Sequence, residues 1–133
     1  MLHLEIVTPE QKIYSDDVDS VVIPGVEGEL GVLPEHVPLM TQLLPGELRV
    51  LKGGEELRLA VGEGFVEIGP DKVAVLTDMA VKESEIDEAS AEEAVKRAEQ
   101  AMREHKMDDE EYATVKASLQ KSLAQIRVKR RRS

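Results

Sequence analysis

The decisive segment of the sequence spans residues 28–39 and reads Gly28-Glu29-Leu30-Gly31-Val32-Leu33-Pro34-Glu35-His36-Val37-Pro38-Leu39. Its two glycines permit backbone angles that a side chain forbids, while Pro34 and Pro38 fix φ and remove hydrogen-bond donors. We therefore expect a rigid, ordered turn at the end of a β-sheet that presents Glu29, Glu35 and His36 outward. Polar groups held on a stiff loop are typical of a binding surface, although an ordinary bulged β-corner has the same composition.

Glycine and proline divide the chain into two parts. All 9 glycines and all 6 prolines lie at or before Pro70, and residues 71–133 contain neither. Within the first part, short stretches of alternating apolar residues recur, with a tight hairpin turn indicated at Gly53-Gly54. Many short strands separated by turns predict an antiparallel β-sandwich or flattened barrel over residues 1–80. A second domain should cover residues 81–133.

The second domain has helical periodicity. One apolar stripe, at spacings of three and four, begins at Ala91, and a second runs from Tyr112 through Leu123 to Ile126. Asp87 or Ser84 is expected to cap the first helix. A short polar connection and complementary stripes predict a C-terminal antiparallel two-helix hairpin.

Charge is divided sharply within this hairpin. Residues 81–111 contain 12 acidic and 5 basic side chains, whereas residues 112–133 contain 7 basic and no acidic ones. Solvated helix faces that attract each other account for most of these charges. The run Arg127-Val128-Lys129-Arg130-Arg131-Arg132 is denser than solubility requires and favours an acidic protein partner. Nucleic acid is the weaker alternative, because the net charge of the chain is −10.

Composition argues against several other classes of protein. The chain has no cysteine, so it can form neither a disulfide framework nor a thiolate metal site. No apolar run approaches the roughly 18 residues of a membrane span, and no signal peptide is recognisable, so we expect a soluble cytoplasmic protein. His3, His36 and His105 lie on different predicted elements, and no phosphate-binding glycine loop precedes a helix, so we predict no metal site and no enzymatic site.

The order of these residues resembles the epsilon subunits of F-type ATP synthases, the small central-stalk proteins of a rotary motor. Besides residues 28–39, the similarity covers blocks at 4–9, 62–68, 71–76, 86–89, 96–99 and 124–128. The resemblance implies a β-sandwich of about ten antiparallel strands followed by the two-helix domain. It also implies a non-catalytic subunit that couples gamma to the c-ring of a proton-translocating complex and restrains ATP hydrolysis.

By the same resemblance, the sandwich binds the gamma subunit and rests on the ring of c subunits. Glu29 matches the position linked to the ring, and His36 matches the position that lies against gamma. The backbone of this contact region would be shaped by Gly28, Gly31, Pro34 and Pro38. The family places such a subunit at the cytoplasmic face of the bacterial plasma membrane, where it reaches the membrane only through the complex. We expect a monomer when the subunit is isolated.

The hairpin is the element that would restrain ATP hydrolysis. Its first helix offers mostly alanine to its partner, so docking buries little apolar area and should be weak. As continuous helix, about 45 residues at 1.5 Å each would reach roughly 65 Å. By the resemblance, this extended form enters the catalytic head, where acidic surfaces of the alpha and beta subunits would meet Arg127, Lys129, Arg130, Arg131 and Arg132.

The resemblance is incomplete at a nucleotide site. Relatives whose hairpin is held compact by ATP begin the first helix with Ile/Leu-Asp-x-x-Arg-Ala. The chain keeps only part of that site, namely Ile86, Asp87, Ala91 and Arg97. Ser90 replaces the motif arginine, and Val81 stands at an upstream acidic position. We therefore expect no cofactor and only weak ATP binding.

Two rival functions are kept open by the residues alone. An adaptor or chaperone-like protein would use the sandwich as an anchor and the hairpin as a clamp. A small sugar- or lipid-binding sandwich is a more remote alternative. Co-purification discriminates between these two functions and that of an ATP synthase epsilon subunit, because only the epsilon subunit requires the gamma subunit as its partner.

Overall fold

A computed structural model describes residues 1–104 and 106–131 of the chain. Ten strands come first, followed by a short 3-10 turn at Glu83–Glu85 and two helices. The strands are β1 Leu2–Val7, β2 Lys12–Val18, β3 Ser20–Gly25, β4 Gly28–Val32, β5 Leu39–Leu43, β6 Gly46–Lys52, β7 Glu55–Val61, β8 Gly64–Ile68, β9 Lys72–Thr77 and β10 Ala80–Lys82. The helices are α1 Glu88–Glu104 and α2 Asp109–Arg131.

Backbone pairing arranges the ten strands in two groups. One group has the order β4-β3-β6-β7-β10, and the other has the order β5-β8-β9-β1-β2. A single pair, Gly25 with Leu43, joins β3 to β5 between the groups. On the opposite side of the sandwich, Lys52 on β6 forms an ion pair with Asp16 on β2. The predicted fold class, a ten-stranded sandwich followed by a helical hairpin, is confirmed.

One strand pairing differs from the all-antiparallel expectation. β1 runs parallel to β9, from His3 opposite Lys72 to Val7 opposite Leu76. These strands lie near the two ends of the sandwich sequence, so no tight hairpin forces them into opposite directions. The last strand of the sandwich, β10, pairs with β7 and runs to Lys82, two residues beyond the proposed domain boundary at Ala80.

The space between the two groups is filled with aliphatic side chains. In β1, Leu2, Leu4 and Ile6 are fully buried, while His3 and Glu5 between them are half-buried. β3 and β9 repeat this alternation, so the predicted period of two corresponds to the core in these strands. β6 and β7 instead bury consecutive residues, because α2 covers their outer side. Removing this much aliphatic surface from water is the main source of the stability of the sandwich.

Glycine meets two backbone requirements in the sandwich. Gly53 and Gly54 have φ of 58° and 81°, as the predicted tight turn between β6 and β7 requires. At Gly64, an added Cβ would lie 1.8 Å from the carbonyl oxygen of Leu76, so only glycine permits β8 to lie this close to β9.

The two helices begin at side-chain caps. Asp87 accepts a hydrogen bond from the backbone N–H of Ser90 at 3.0 Å, and Asp108 accepts one from Glu111 at 2.8 Å. Asp87 is therefore the cap of α1, whereas Ser84 lies in the 3-10 turn that precedes it. α2 packs on β6 and β7, and α1 packs on α2.

Candidate functional site

The segment 28–39 combines a strand, a short turn and irregular chain. Gly28–Val32 forms β4, which pairs with β3 and lies off the main strand path. The turn is confined to Pro34 and Glu35, and the backbone N–H of Glu35 donates a hydrogen bond to the carbonyl of Pro70. The predicted ordered turn at the end of a sheet is therefore shorter than expected, because Leu30 and Val32 face the core and Gly28–Val32 joins the sheet as a strand.

The glycines of this segment do not have equal roles. Gly28 has a φ of 112°, a conformation that side chains rarely adopt, and it ends the tight turn between β3 and β4. Gly31 has no such φ and an added Cβ would meet nothing within 4 Å, so its backbone is ordinary strand. Pro34 begins the later turn, and Pro38 directly precedes β5.

Glu29 is bound by a neighbouring arginine. Its Oε2 accepts a hydrogen bond at 3.0 Å from Nη1 of Arg49 on β6, and the same nitrogen donates to Oε1 of Glu47 at 3.0 Å. The Glu29 side chain is 57% exposed, whereas the Arg49 and Glu47 side chains are only 19% and 5% exposed. The hydrogen bond to Glu47, followed by the one to Glu29, raises the pKa of Arg49 above its ordinary value.

His36 lies in different surroundings. The ring is half-buried, and Nδ1 donates a hydrogen bond to the carbonyl of Val37 at 2.6 Å. Between Glu29 and Val32 the strand advances by about 10 Å, before the turn that leads to His36. Their closeness in the sequence predicts that Glu29 and His36 share one turn. They do not, because Glu29 lies on β4 and His36 follows the turn. Glu35, between them, is exposed as predicted.

An exposed apolar surface was missed by the sequence reasoning. Met40 on β5, Phe65 on β8 and Leu76 on β9 point away from the core and are half or more exposed. Phe65 and Leu76 are directly paired across β8 and β9. We call these three residues the apolar face. The strand pattern could have revealed it, because outward positions of a half-exposed sheet are normally polar and these three are apolar.

The outer side of the other strand group carries the hairpin. Ala124 and Val128 of α2 are buried there against Ala60 of β7 and Ile86, and we call these four residues the hairpin interface. Gly62 makes close approach possible, since an added Cβ would lie 2.0 Å from Oδ1 of Asp78 and 3.3 Å from Cδ of Lys121.

Ion pairs and one hydrogen bond to the backbone border the hairpin interface. Lys121 pairs with Asp78 at 3.6 Å, and Nζ of Lys129 donates to the carbonyl of Glu83 at 3.3 Å. Arg130 of α2 bonds Glu88 at 2.8 Å and also bonds Glu92, so it clasps the start of α1. The hydrogen bonds to Glu88 and then to Glu92 raise the pKa of Arg130 above its ordinary value.

Residues 127–132, which we call the basic tail, therefore form some of their contacts within the chain itself. Lys129 and Arg130 have the partners described above, whereas Arg127 is exposed. α2 includes the backbone of Arg131, but its side chain and all of Arg132 lie outside the described residues, as does His105.

The residues matching the nucleotide motif have structural roles in this form. Ile86 and Ala91 are buried, and Asp87 caps α1. The hydrogen bond from the backbone of Ser90 is the main cause that lowers the pKa of Asp87. Arg97 is exposed on α1, about 9 Å along the helix axis from Ala91. Ile86, Asp87 and Ala91 therefore lie around the start of α1, and Arg97 lies further along the same helix.

Two features of the described ranges of the chain concern metal-binding side chains and helices. Across residues 1–104 and 106–131, no three His, Asp or Glu side chains are placed to hold a metal ion. Within the same ranges, neither helix is both long enough and apolar enough to cross a membrane.

Two family models match the chain, and together they cover almost all of it. The beta-sandwich domain of the ATP synthase delta/epsilon chain matches residues 1–83, and its long alpha-helix domain matches residues 84–130. The epsilon chain of Dehalococcoides mccartyi is 46% identical over 98% of this chain and 94% of its own length. That of Laribacter hongkongensis is 45% identical over 95% of this chain and 91% of its own length.

Solved structures agree with the sequence matches. A chain of the Euglena gracilis mitochondrial ATP synthase, in a structure of its OSCP, F1 and c-ring, has a TM-score of 0.75 and 26% identity, over 90% of this chain and 75% of that one. A chain from the central stalk and c-ring of the Tetrahymena thermophila enzyme has a TM-score of 0.60 at 14% identity, over 98% of this chain and 95% of that one, which supports the fold alone. The chain therefore belongs to the ATP synthase delta/epsilon family, as an epsilon chain, a non-catalytic subunit of that complex.

Proposed function

We propose that this epsilon chain couples the gamma subunit to the c-ring in the stalk of a proton-translocating F-type ATP synthase, and that its hairpin restrains ATP hydrolysis. The observation that carries the proposal is the contrast between the two outer sides of the sandwich. One side is covered by α2, whereas the apolar face on the other side is not covered by either helix. Such a molecule has one surface for permanent attachment and one for a detachable element.

The apolar face is the proposed gamma-binding surface. Three large apolar side chains exposed on one sheet are costly in water, and a partner that covers them recovers their burial energy. Met40 directly follows Leu39, the last residue of the segment 28–39. The proposed contact at His36 would therefore continue along β5 onto the apolar face.

Glu29 is the proposed contact with the ring. It lies on β4, at the margin of the strand group, with an exposed carboxylate that can accept hydrogen bonds from polar or cationic loop residues. A carboxylate suits a contact that forms without burying a large apolar area.

The hairpin is the proposed brake. It is held by two alanines, Val128 and Ile86 at the hairpin interface, with the half-buried Met79 and Val81 packed against them, together with ion pairs at the surface. Exposed pairs typically contribute less than about 1 kcal/mol each, so an undocked form lies within reach of a few kcal/mol. Lys129 and Arg130, which fasten the docked form, belong to the basic tail that would meet acidic alpha and beta surfaces in the extended form.

ATP is proposed to be a weak effector of this brake. Arginine supplies a planar, permanently charged fork for phosphate oxygens, and serine cannot replace it at Ser90. The proposed setting is the cytoplasmic face of a bacterial plasma membrane, where the chain reaches the membrane only through the complex and is a monomer when isolated.

A truncation tests the brake. Because β10 extends to Lys82 and Arg58 of β7 bonds Glu83, the chain should be cut after Glu85 rather than at Ala80. The truncated chain should assemble into the complex, support ATP synthesis and raise the rate of ATP hydrolysis above that of the full-length form. Equal hydrolysis rates in complexes with equal subunit content would remove the brake from the proposal.

An affinity test addresses gamma separately. Phe65→Ser should weaken retention of the full-length chain on isolated gamma, and Leu51→Ser, which changes an exposed leucine on β6, is the matched control. Equal retention of both variants would place the gamma contact elsewhere. The adaptor and ligand-binding alternatives are not favoured, because the relatives are ATP synthase epsilon chains.

A further inference from the structure

We propose that Arg49 is a positioning residue for Glu29, which it holds in the orientation that meets the ring. The inference rests on the ring contact proposed above and deepens it by naming the side chain on which that contact depends.

The placement of Glu29 explains why it needs support. Among the described strands, β4 pairs only with β3, so one side of Glu29 faces no neighbouring strand. A glutamate in such a place rotates about three side-chain bonds and loses that freedom when it binds a partner. Arg49 reaches it diagonally across β3, where Pro24 pairs with Glu29 and Val22 pairs with Arg49.

Arg49 is itself fixed. Its Nη1 carries two N–H groups, and the structure gives one oxygen of Glu29 and one of Glu47 to that nitrogen, each at 3.0 Å. Glu47 is buried directly opposite Ala60 in the pairing of β6 with β7, and Ala60 lies at the hairpin interface. Arg49 is therefore held by Glu47 on the side of the sheet that α2 covers, and it extends from there toward Glu29 on β4.

An anchored arginine changes the cost of binding. The Glu29 carboxylate is ordered before any partner arrives, so less rotamer freedom is lost when the contact forms. The guanidinium of Arg49 is planar and keeps its charge throughout the physiological pH range.

The test uses membranes that contain ATP synthase stripped of its epsilon chain. Full-length variants are titrated back, and the concentration that half-restores proton-coupled ATP synthesis is measured. Arg49→Met should raise that concentration about two- to fivefold, which is what an ion pair with an exposed partner contributes. Glu29→Gln should raise it at least as much, and the double variant Glu29→Gln/Arg49→Met no further than Glu29→Gln alone.

Two further variants keep the result interpretable. Arg49→Met removes the arginine that pairs with the buried Glu47 and could therefore impair folding. The double variant Glu47→Gln/Arg49→Gln removes both charges and should shift the half-restoring concentration as Arg49→Met does. Arg58→Met removes the arginine directly opposite Arg49, which is similarly buried and pairs with Glu83, and should leave the concentration unchanged.

The outcomes separate the inference from the proposed function. If Glu29→Gln alters restoration but Arg49→Met does not, or if their effects add, the positioning role of Arg49 is overturned while the ring contact stands. An equal shift for Arg58→Met would also overturn it. If Glu29→Gln has no effect, the ring contact at Glu29 falls, and the role of Arg49 falls with it.

Discussion

The sandwich and the hairpin interface are built from different side chains, and the difference separates a permanent scaffold from a removable element. The sandwich interior consists of fully buried leucine, isoleucine and valine from both strand groups. The hairpin interface consists of Ala60, Ala124, Ile86 and Val128, with the half-buried Met79 and Val81 packed against it, and it is bordered by ion pairs. Large aliphatic residues gain far more from burial than alanine, so the hairpin can detach at a cost that would not unfold the sandwich.

The largest expected effect tests the scaffold. Leu59→Ala removes a fully buried side chain on β7 and should lower the free energy of unfolding by about 2–5 kcal/mol, from lost burial and the cavity left behind. Chemical unfolding of the full-length protein measures the change. The exposed Leu51→Ala on β6 is the control and should change stability far less. Similar losses for the two variants would contradict the proposed division of stability.

A smaller effect is expected at the hairpin interface. Val128→Ala removes two methyl groups from a fully buried position and should cost the docked form roughly 1–2 kcal/mol. Limited proteolysis should then cut the α1–α2 connection or the 83–87 segment sooner, while the unfolding midpoint of the sandwich stays near that of the unmodified chain. A parallel fall in both quantities would mean that the hairpin and the sandwich unfold as one unit.

The ion pairs should contribute less still. Replacing Glu88 and Glu92 together with glutamine removes both partners that the structure gives to Arg130 within α1. Proteolytic opening of the hairpin should increase at low salt, and the difference from the unmodified chain should shrink as salt rises, because exposed charges are screened within about 10 Å at 0.1 M. The matched control, Glu93→Gln with Glu99→Gln, changes two exposed acids of α1 outside this clasp. An increase that is independent of salt would count against an electrostatic clasp.

The same contrast decides what could be predicted from the sequence. Strand alternation in residues such as Leu2, Leu4 and Ile6 is unambiguous, because one side of each strand must be apolar. The parallel direction of β1 and β9 could not be predicted, since it depends on contacts between distant segments. Of the segment 28–39, the backbone requirement at Gly28 was predictable, whereas the pairing of Glu29 with Arg49 depends on register across β3.

The hairpin was predicted less well in its details. α2 was expected to bury a stripe that includes Tyr112 and Leu123, but both are exposed, and Ala124 and Val128 are buried instead. α2 lies between α1 and the sandwich, so two sides of the helix are covered, and the small side chains Ala124 and Val128 permit its close approach to β7. A single-stripe analysis assumes one partner and therefore favours the largest apolar residues.

The smallest expected effect concerns the start of α1. The backbone N–H of Ser90 holds the pKa of Asp87 below its ordinary value, so the ionised cap stabilises the helix above the pKa of the unfolded chain. This contribution is lost as the pH falls through the lower pKa of the folded state, and helix content measured by circular dichroism should decline below about pH 4. Asp87→Asn keeps a capping oxygen that does not titrate, so its helix content should respond less to pH over the same range. Because other carboxylates titrate nearby, the difference between the two proteins is the relevant measurement. Identical pH curves would show that the cap of α1 does not influence the docked hairpin.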